Sequence, residues 1–171
     1  MATRMCTMAG LVVAFASVAA GQDFKLHTST AGKYKANFPG EVKSETTDIQ
    51  AGNQTLKLTL ETVELKGETV FMVSYVDAAD EVAKQPAGPR LDKVRDGNKG
   101  PTGKVLEDKD VTVGAEKYPG RDILLETPGR FIRNRAVIAG NRLYQVMVQG
   151  TKDVVTSPSA DKFIASFEIT K

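Results

Sequence analysis

The sequence predicts an α+β domain built on a mostly antiparallel sheet of about six to eight strands, packed with short helices. Three observations carry this. Tyr118–Glu126, Arg130–Ala139 and Arg142–Gln149 are three β-rich runs separated by the tight turns Thr127-Pro128-Gly129 and Gly140-Asn141. Leu56, Leu58 and Leu60 alternate with Lys57, Thr59 and Glu61, the period of a half-buried strand. Near the end, Ser157-Pro158 followed by Asp161 is a helix start: a capping hydroxyl, a proline at the first helical position and an acid in the first turn.

Residues 1–20 read as a secretory signal peptide. Arg4 supplies the positive start, Gly10 to Val18 the apolar run, and Val18-Ala19-Ala20 small residues for cleavage before Gly21. The run is shorter than the roughly 20 residues a membrane span needs. Cys6 precedes it, so it is not a lipoprotein cysteine. Residues 21–171 then form one domain without cysteine, exported to a periplasmic or extracellular space, with no transmembrane segment after cleavage. About 150 residues suffice for a hydrophobic core without covalent staples. The formal charge is +2, and removing Arg4 leaves 22 basic against 21 acidic residues. Such balance argues against nucleic acid as a partner.

From Phe24 to His27 a short strand is expected, then a polar turn over Thr28–Lys33. Tyr34–Phe38 alternates and stops at Pro39-Gly40. Glu41–Ile49 is a polar edge strand, and Gln50–Asn53 breaks it before the leucine strand. Lys66-Gly67-Glu68 turns the chain into Thr69–Val76. Asp77–Lys84 suits one or two helical turns, and Arg90–Asp96 a short helix with Leu91 and Val94 inward. Gly97–Gly103 reads as a loop and Lys104–Val113 as a strand. After Gly150 come a loop, a helix to Ser166 burying Phe163, Ile164 and Phe167, and a last strand over Glu168–Thr170.

In the central meander, two-residue turns set the register. One face collects Ile123, Leu125, Ile132, Ala136, Ile138, Leu143 and Met147, with Asn134 and Gln145 among them, and is expected to be the core. The other collects Asp122, Leu124, Glu126, Phe131, Arg133, Arg135, Val137, Tyr144, Val146 and Val148, and is expected to be mixed. Asp122 falls opposite Arg135, with Val146 beside it on the third strand.

Tyr34-Lys-Ala-Asn-Phe-Pro-Gly, Arg95-Asp-Gly, Tyr118-Pro-Gly-Arg-Asp and Phe163-Ile-Ala-Ser-Phe-Glu-Ile resemble parts of the Mog1/PsbP-like group. The resemblance spans most of residues 24–171. It implies an α/β/α sandwich, in a group with many exported bacterial domains. Its members serve unrelated roles, among them an extrinsic subunit of the photosynthetic oxygen-evolving complex and a partner of a nuclear transport GTPase. The motifs are structural punctuation and bring no catalytic residue to this chain; they favour an accessory or binding role.

Chemistry-bearing patterns are sparse. His27 is the sole histidine and reads as a surface residue. Asn98-Lys-Gly-Pro-Thr-Gly-Lys104-Val105 has the Gly-Lys pair of a phosphate loop but lacks its first glycine and its magnesium-binding hydroxyl. As a calcium loop, Asp96, Asn98 and Glu107 fall in frame, yet Pro101 stands where a glycine is needed. No metal or cofactor is expected. Asp77 with Asp80, and Asp108 with Asp110, are solvated carboxylates unless a pocket shifts them. Asn53-Gln-Thr55 matches a glycosylation acceptor pattern.

The arginines Arg121, Arg130, Arg133, Arg135 and Arg142 cluster on the meander. Arg133 and Arg135, beside Phe131 and Tyr144 and near Asp122, form the candidate binding set: guanidinium next to aromatic area suits an acidic protein partner or an anionic ligand. The alternative is a solvated face, with Arg135 neutralised by Asp122 and Arg133 covering Leu124 with its stem. The sequence thus predicts a non-catalytic exported binding module. The competing reading is a small exported hydrolase-like enzyme working with carboxylates and arginines.

Overall fold

Two runs of strands, each hairpin-linked, meet edge to edge to make the main sheet. The computed structural model describes residues 23–171; the signal-peptide reading lies outside them. In chain order the elements are β1 (Lys25–Ser29), β2 (Tyr34–Phe38), β3 (Lys43–Ala51), β4 (Gln54–Leu65) and β5 (Thr69–Asp77). Then follow α1 (Asp80–Ala83), α2 (Ala87–Lys99), β6 (Lys104–Val113), β7 (Tyr118–Thr127), β8 (Arg130–Ala139) and β9 (Arg142–Gly150). The chain ends with α3 (Lys152–Val155), α4 (Pro158–Ala165) and β10 (Glu168–Ile169).

Seven strands form an antiparallel sheet in the order β3-β4-β5-β9-β8-β7-β6, and β1-β2-β10 form a small second sheet. The fold is α+β, an α/β/α sandwich. The meander has the expected register: Asp122 pairs with Arg135, and Arg135 with Val146. Gly129 and Gly140, at φ 81° and 62°, take the left-handed turn conformation that fixes it. Strand β6 forms one edge and carries a register shift between Val105 and Glu107, where Leu106 is exposed. Such a bulge blunts the edge against further pairing.

The depth of the two faces differs from expectation. The face expected to be mixed holds the larger core: Val137, Tyr144, Val146 and Val148 pack with Phe71, Val73, Tyr34, Phe38, Phe163 and Phe167. The small sheet and α4 cover it, and both come from distant parts of the chain. Phe163 lies edge-on to Phe38 and Phe71, with ring centroids 5.0 and 5.3 Å apart. Such contacts add about 0.5–1.5 kcal/mol each beyond burial. The opposite face has two smaller clusters, Ile123, Leu125, Ile132 and Met147, then Leu91 of α2 on Ala136 and Ile138.

Strand β4 is half-buried, as its alternation predicts, and its two sides differ in depth. Thr59, Glu61 and Val63 are the buried set, while Leu56, Leu58 and Leu60 are half-buried. The leucines face the side that α2 covers only in part. Helix α2 runs past the expected end, through Gly97 to Lys99, and stops at Gly100 with φ 65°. Asn98 Nδ2 donates to Gln145 Oε1 at 2.8 Å, and Asn134 Nδ2 donates to the same oxygen at 3.0 Å. These bonds hold the end of the helix on the sheet, where the sequence reads as loop. The expected loop after Gly150 contains the single turn α3. Ser157 caps α4 by accepting from Ala160 N at 3.2 Å.

Candidate functional site

Alternation along β8 places Arg133 and Arg135 on one face, two residues apart. They lie next to α3 and α4, yet they are held differently. Arg135 Nε and Nη2 donate to Asp122 Oδ1 and Oδ2, each at 2.7 Å. Its Nη1 points to the Ile164 carbonyl at 3.5 Å. The hydrogen bonds to Asp122 hold the guanidinium above its ordinary pKa against the opposing effect of burial. Arg133 has one carboxylate, Asp161 of α4, at 2.6 Å, and lies 3.5 Å from the Val155 carbonyl. The Asp161 side chain is 62% exposed.

A cleft of about 270 Å³ opens here, lined by Glu107, Lys109, Asp122, Arg133, Thr156 and Ile164, among others. Lys109 donates to Glu107 at 2.8 Å. That bond, followed by the charge of Lys109 and more weakly of Arg133, lowers the Glu107 carboxyl. The two carboxylates of this cleft, Glu107 and Asp122, therefore both face cations.

The aromatic half of the candidate set is not brought to this surface. Tyr144 is buried at 2% exposure, its hydroxyl donates to the Gly32 carbonyl at 2.7 Å, and its ring stands 5.4 Å from Phe167. The small sheet roofs the central strand β9, which puts Tyr144 inside the core. Phe131 is half-buried and packs against the same core. Arg130 is exposed and donates to Gln149 Oε1.

The remaining arginines of the meander are tied down. Arg142 grips Asp77 through two bonds of 2.7 and 2.8 Å, donates to the Ala31 carbonyl and lies 5.0 Å over the Tyr75 ring. The hydrogen bond from Arg142 holds the Asp77 carboxyl below its usual range. Beside this pair is a cleft of about 380 Å³ between Lys33, Glu116, Tyr118 and the C-terminal Thr170 and Lys171. Arg121 bonds Asp92 of α2 and lies 3.4 Å from Asp108 and 3.2 Å from Asp110. Arg95 adds bonds to Asp96 and Asp108 at 2.9 and 2.8 Å. Asp108 and Asp110 are thus members of an ion-pair network that pins α2 to the sheet. Among the described residues no three His, Cys, Asp or Glu side chains converge as metal ligands.

Sequence reasoning missed one cluster. Glu61 is buried at 6% exposure beneath the small sheet. Ser29 Oγ donates to its Oε1 at 3.0 Å, His27 Nε2 lies 3.2 Å from Oε2, and the Tyr34 hydroxyl donates to Oε2 as well. Burial, then the Glu61 carboxylate, push the Tyr34 hydroxyl far above its ordinary value. His27 also packs edge-on against Phe38 at 5.6 Å. It is part of a polar cluster, where the sequence reads as a plain surface histidine. The one available signal was Glu61 itself, alternating with Thr59 and Val63 opposite the leucines.

No protein-family model and no curated protein matches the chain. Among solved structures it is similar to the solution structure of cyanobacterial PsbP (CyanoP) from Synechocystis sp. PCC 6803. The TM-score is 0.55 at 9% identity, covering 97% of this chain and 98% of that one. The fold is PsbP-like, as the sequence resemblance implied. No helix among the described residues is long and apolar enough to cross a membrane.

Proposed function

From this PsbP-like fold, we propose that the chain is a non-catalytic exported binding module that takes an acidic protein segment at the cleft beside Arg133. One observation carries the reading: neighbouring arginines on one face are held unequally. Arg135 is fixed by two short bonds to Asp122. Arg133 is held by a carboxylate that is mostly in water, and exposed ion pairs of this kind contribute only about 0–1 kcal/mol. An incoming carboxylate can therefore replace Asp161 at small cost, with Arg135 and the α4 backbone as rigid support. Lys109 supplies a second cation on the cleft wall. Ser29 and His27 each meet Glu61 and share no hydrogen bond, so this cluster is not arranged as a hydroxyl–imidazole relay.

Affinity capture from the exported fraction tests this. Wild-type protein and Lys57→Glu, on β4 beside the edge strand β3, are expected to retain an acidic partner that Arg133→Glu loses. Capture unchanged by Arg133→Glu would overturn the proposal. Export has its own check: the protein recovered outside the cytoplasm is expected to begin at Gly21, and recovery with Met1 in the cytoplasm alone would contradict it.

A further inference from the structure

The opposite face of the main sheet carries a second kind of site. Between α1, α2 and strands β3, β4, β5, β8 and β9 lies a cleft of about 270 Å³. Its walls are aliphatic, built from Leu56, Val76, Val82, Val94, Ile138 and Leu143. Arg90, in the first turns of α2, lines the same cleft and is only 7% exposed. The other described arginines each donate to a carboxylate or amide oxygen. Arg90 meets no such oxygen among the described residues. Burial alone pushes its guanidinium below the ordinary value, and no carboxylate raises it again.

The Arg90 stem is buried along the cleft wall while its guanidinium keeps contact with water, and no counter-charge meets it there. Arg90 sits next to Leu91 on the inward side of α2, one turn from Val94, a position where a leucine would satisfy burial alone. Lys93 brings a second positive charge to the same wall. Aliphatic walls around an unpaired guanidinium match a molecule with an apolar chain and one anionic end. We propose that this cleft binds an amphipathic anion of the fatty-acid class, its chain between β4, β9 and the helices and its carboxylate on Arg90. The volume falls just below the range of about 300–1,000 Å³ typical of drug-sized ligands, which suits one short- or medium-length chain. This site is independent of the Arg133 cleft, which lies across the sheet.

Calorimetry on the protein beginning at Gly21, with decanoate as probe, tests the assignment. Saturable one-to-one binding is expected. Acetate, which lacks the chain, and decanol, which lacks the charge, are each expected to bind about tenfold or more weakly. Arg90→Gln is expected to weaken decanoate by a similar factor and leave decanol unchanged, and Arg133→Glu to leave decanoate binding intact. If Arg90→Gln does not fold, methyl NMR shifts of the wild type decide: decanoate is expected to move Leu56, Val82, Val94 and Leu143. Equal affinity of Arg90→Gln for decanoate, shifts located elsewhere, or self-association through this face that decanoate does not disrupt would overturn the proposal.

Discussion

Asp122 and Arg135 face each other across β7 and β8 and join through two hydrogen bonds of 2.7 Å, each side chain less than one-third exposed. This pair also reaches α4 through the Ile164 carbonyl, so it couples the meander to the helix that covers it. Arg135→Ala leaves Asp122 half-buried without a partner. A loss of about 2 kcal/mol is expected from the removed charge-assisted bonds. Urea denaturation of Arg135→Ala, Asp122→Ala and the double variant would read the coupling, and strictly additive losses would contradict it.

The Glu61 cluster predicts an unequal pair of losses. Tyr34→Phe removes one of three donors and is expected to cost about 1–2 kcal/mol. Glu61→Ala strands Tyr34, Ser29 and His27 together and is expected to cost about 3 kcal/mol or more. Thermal and urea unfolding give both numbers; a Glu61→Ala loss no larger than that of Tyr34→Phe would show that the carboxylate does not organise the cluster.

Acid sensitivity follows from Asp77. Its carboxyl is depressed in the folded protein by Arg142. The folded state thus binds the proton more weakly than the unfolded chain. The stabilisation is present above the unfolded value of about 3.9 and is lost as pH falls through the lower folded value. Asp77 is more than half exposed, so water screens the pair and the contribution stays below about 1 kcal/mol. Urea midpoints measured from about pH 6 down to pH 2.5 are expected to fall less steeply for Arg142→Gln than for wild type.

Two glycines separate backbone need from sequence habit. Gly97 lies inside α2 with open space where a Cβ would stand. Gly97→Ala is therefore expected to stabilise by about 0.5–1 kcal/mol. At Gly103 a Cβ would come within 2.3 Å of the Lys99 carbonyl oxygen and 3.0 Å of that of Glu126. Gly103→Ala is expected to destabilise by about 2 kcal/mol or more, because both obstacles are backbone. Melting temperatures shifting in the same direction would refute this contrast.

Much of the architecture was legible because its determinants are local. Gly129 and Gly140 permit tight turns, and alternation fixes the pairing once the turns are set; the Asp122–Arg135 contact follows from those two facts. Ser157 and Pro158 marked the start of α4 for similar local reasons. Relative face depth was not legible, because it depends on what lies above each strand. Tyr144 and Val146 are covered by β2, which lies more than a hundred residues earlier, and Glu61 finds its donors on β1 and β2. The Leu56–Leu58–Leu60 stripe marked β4 as a half-buried strand, while which of its sides lies deeper was decided by the covering layer. Gly97 misled as a helix breaker; Asn98, anchored on Gln145, and Gly100 beyond it show where α2 ends. At the Arg133 cleft the cations were legible and the fate of their aromatic neighbours was not.

Strand β9 lies against β5, with Phe71 opposite Val148 and Val73 opposite Val146. Along the chain these partners are separated by two helices and three strands. The middle of the sheet is thus a seam between two locally assembled halves, and its formation must close a long loop before any contact there rewards it. Each half exposes an unsatisfied hydrogen-bonding border until the other arrives. The vulnerable moment for misassociation is therefore during folding, at the centre of the finished molecule rather than at its rim.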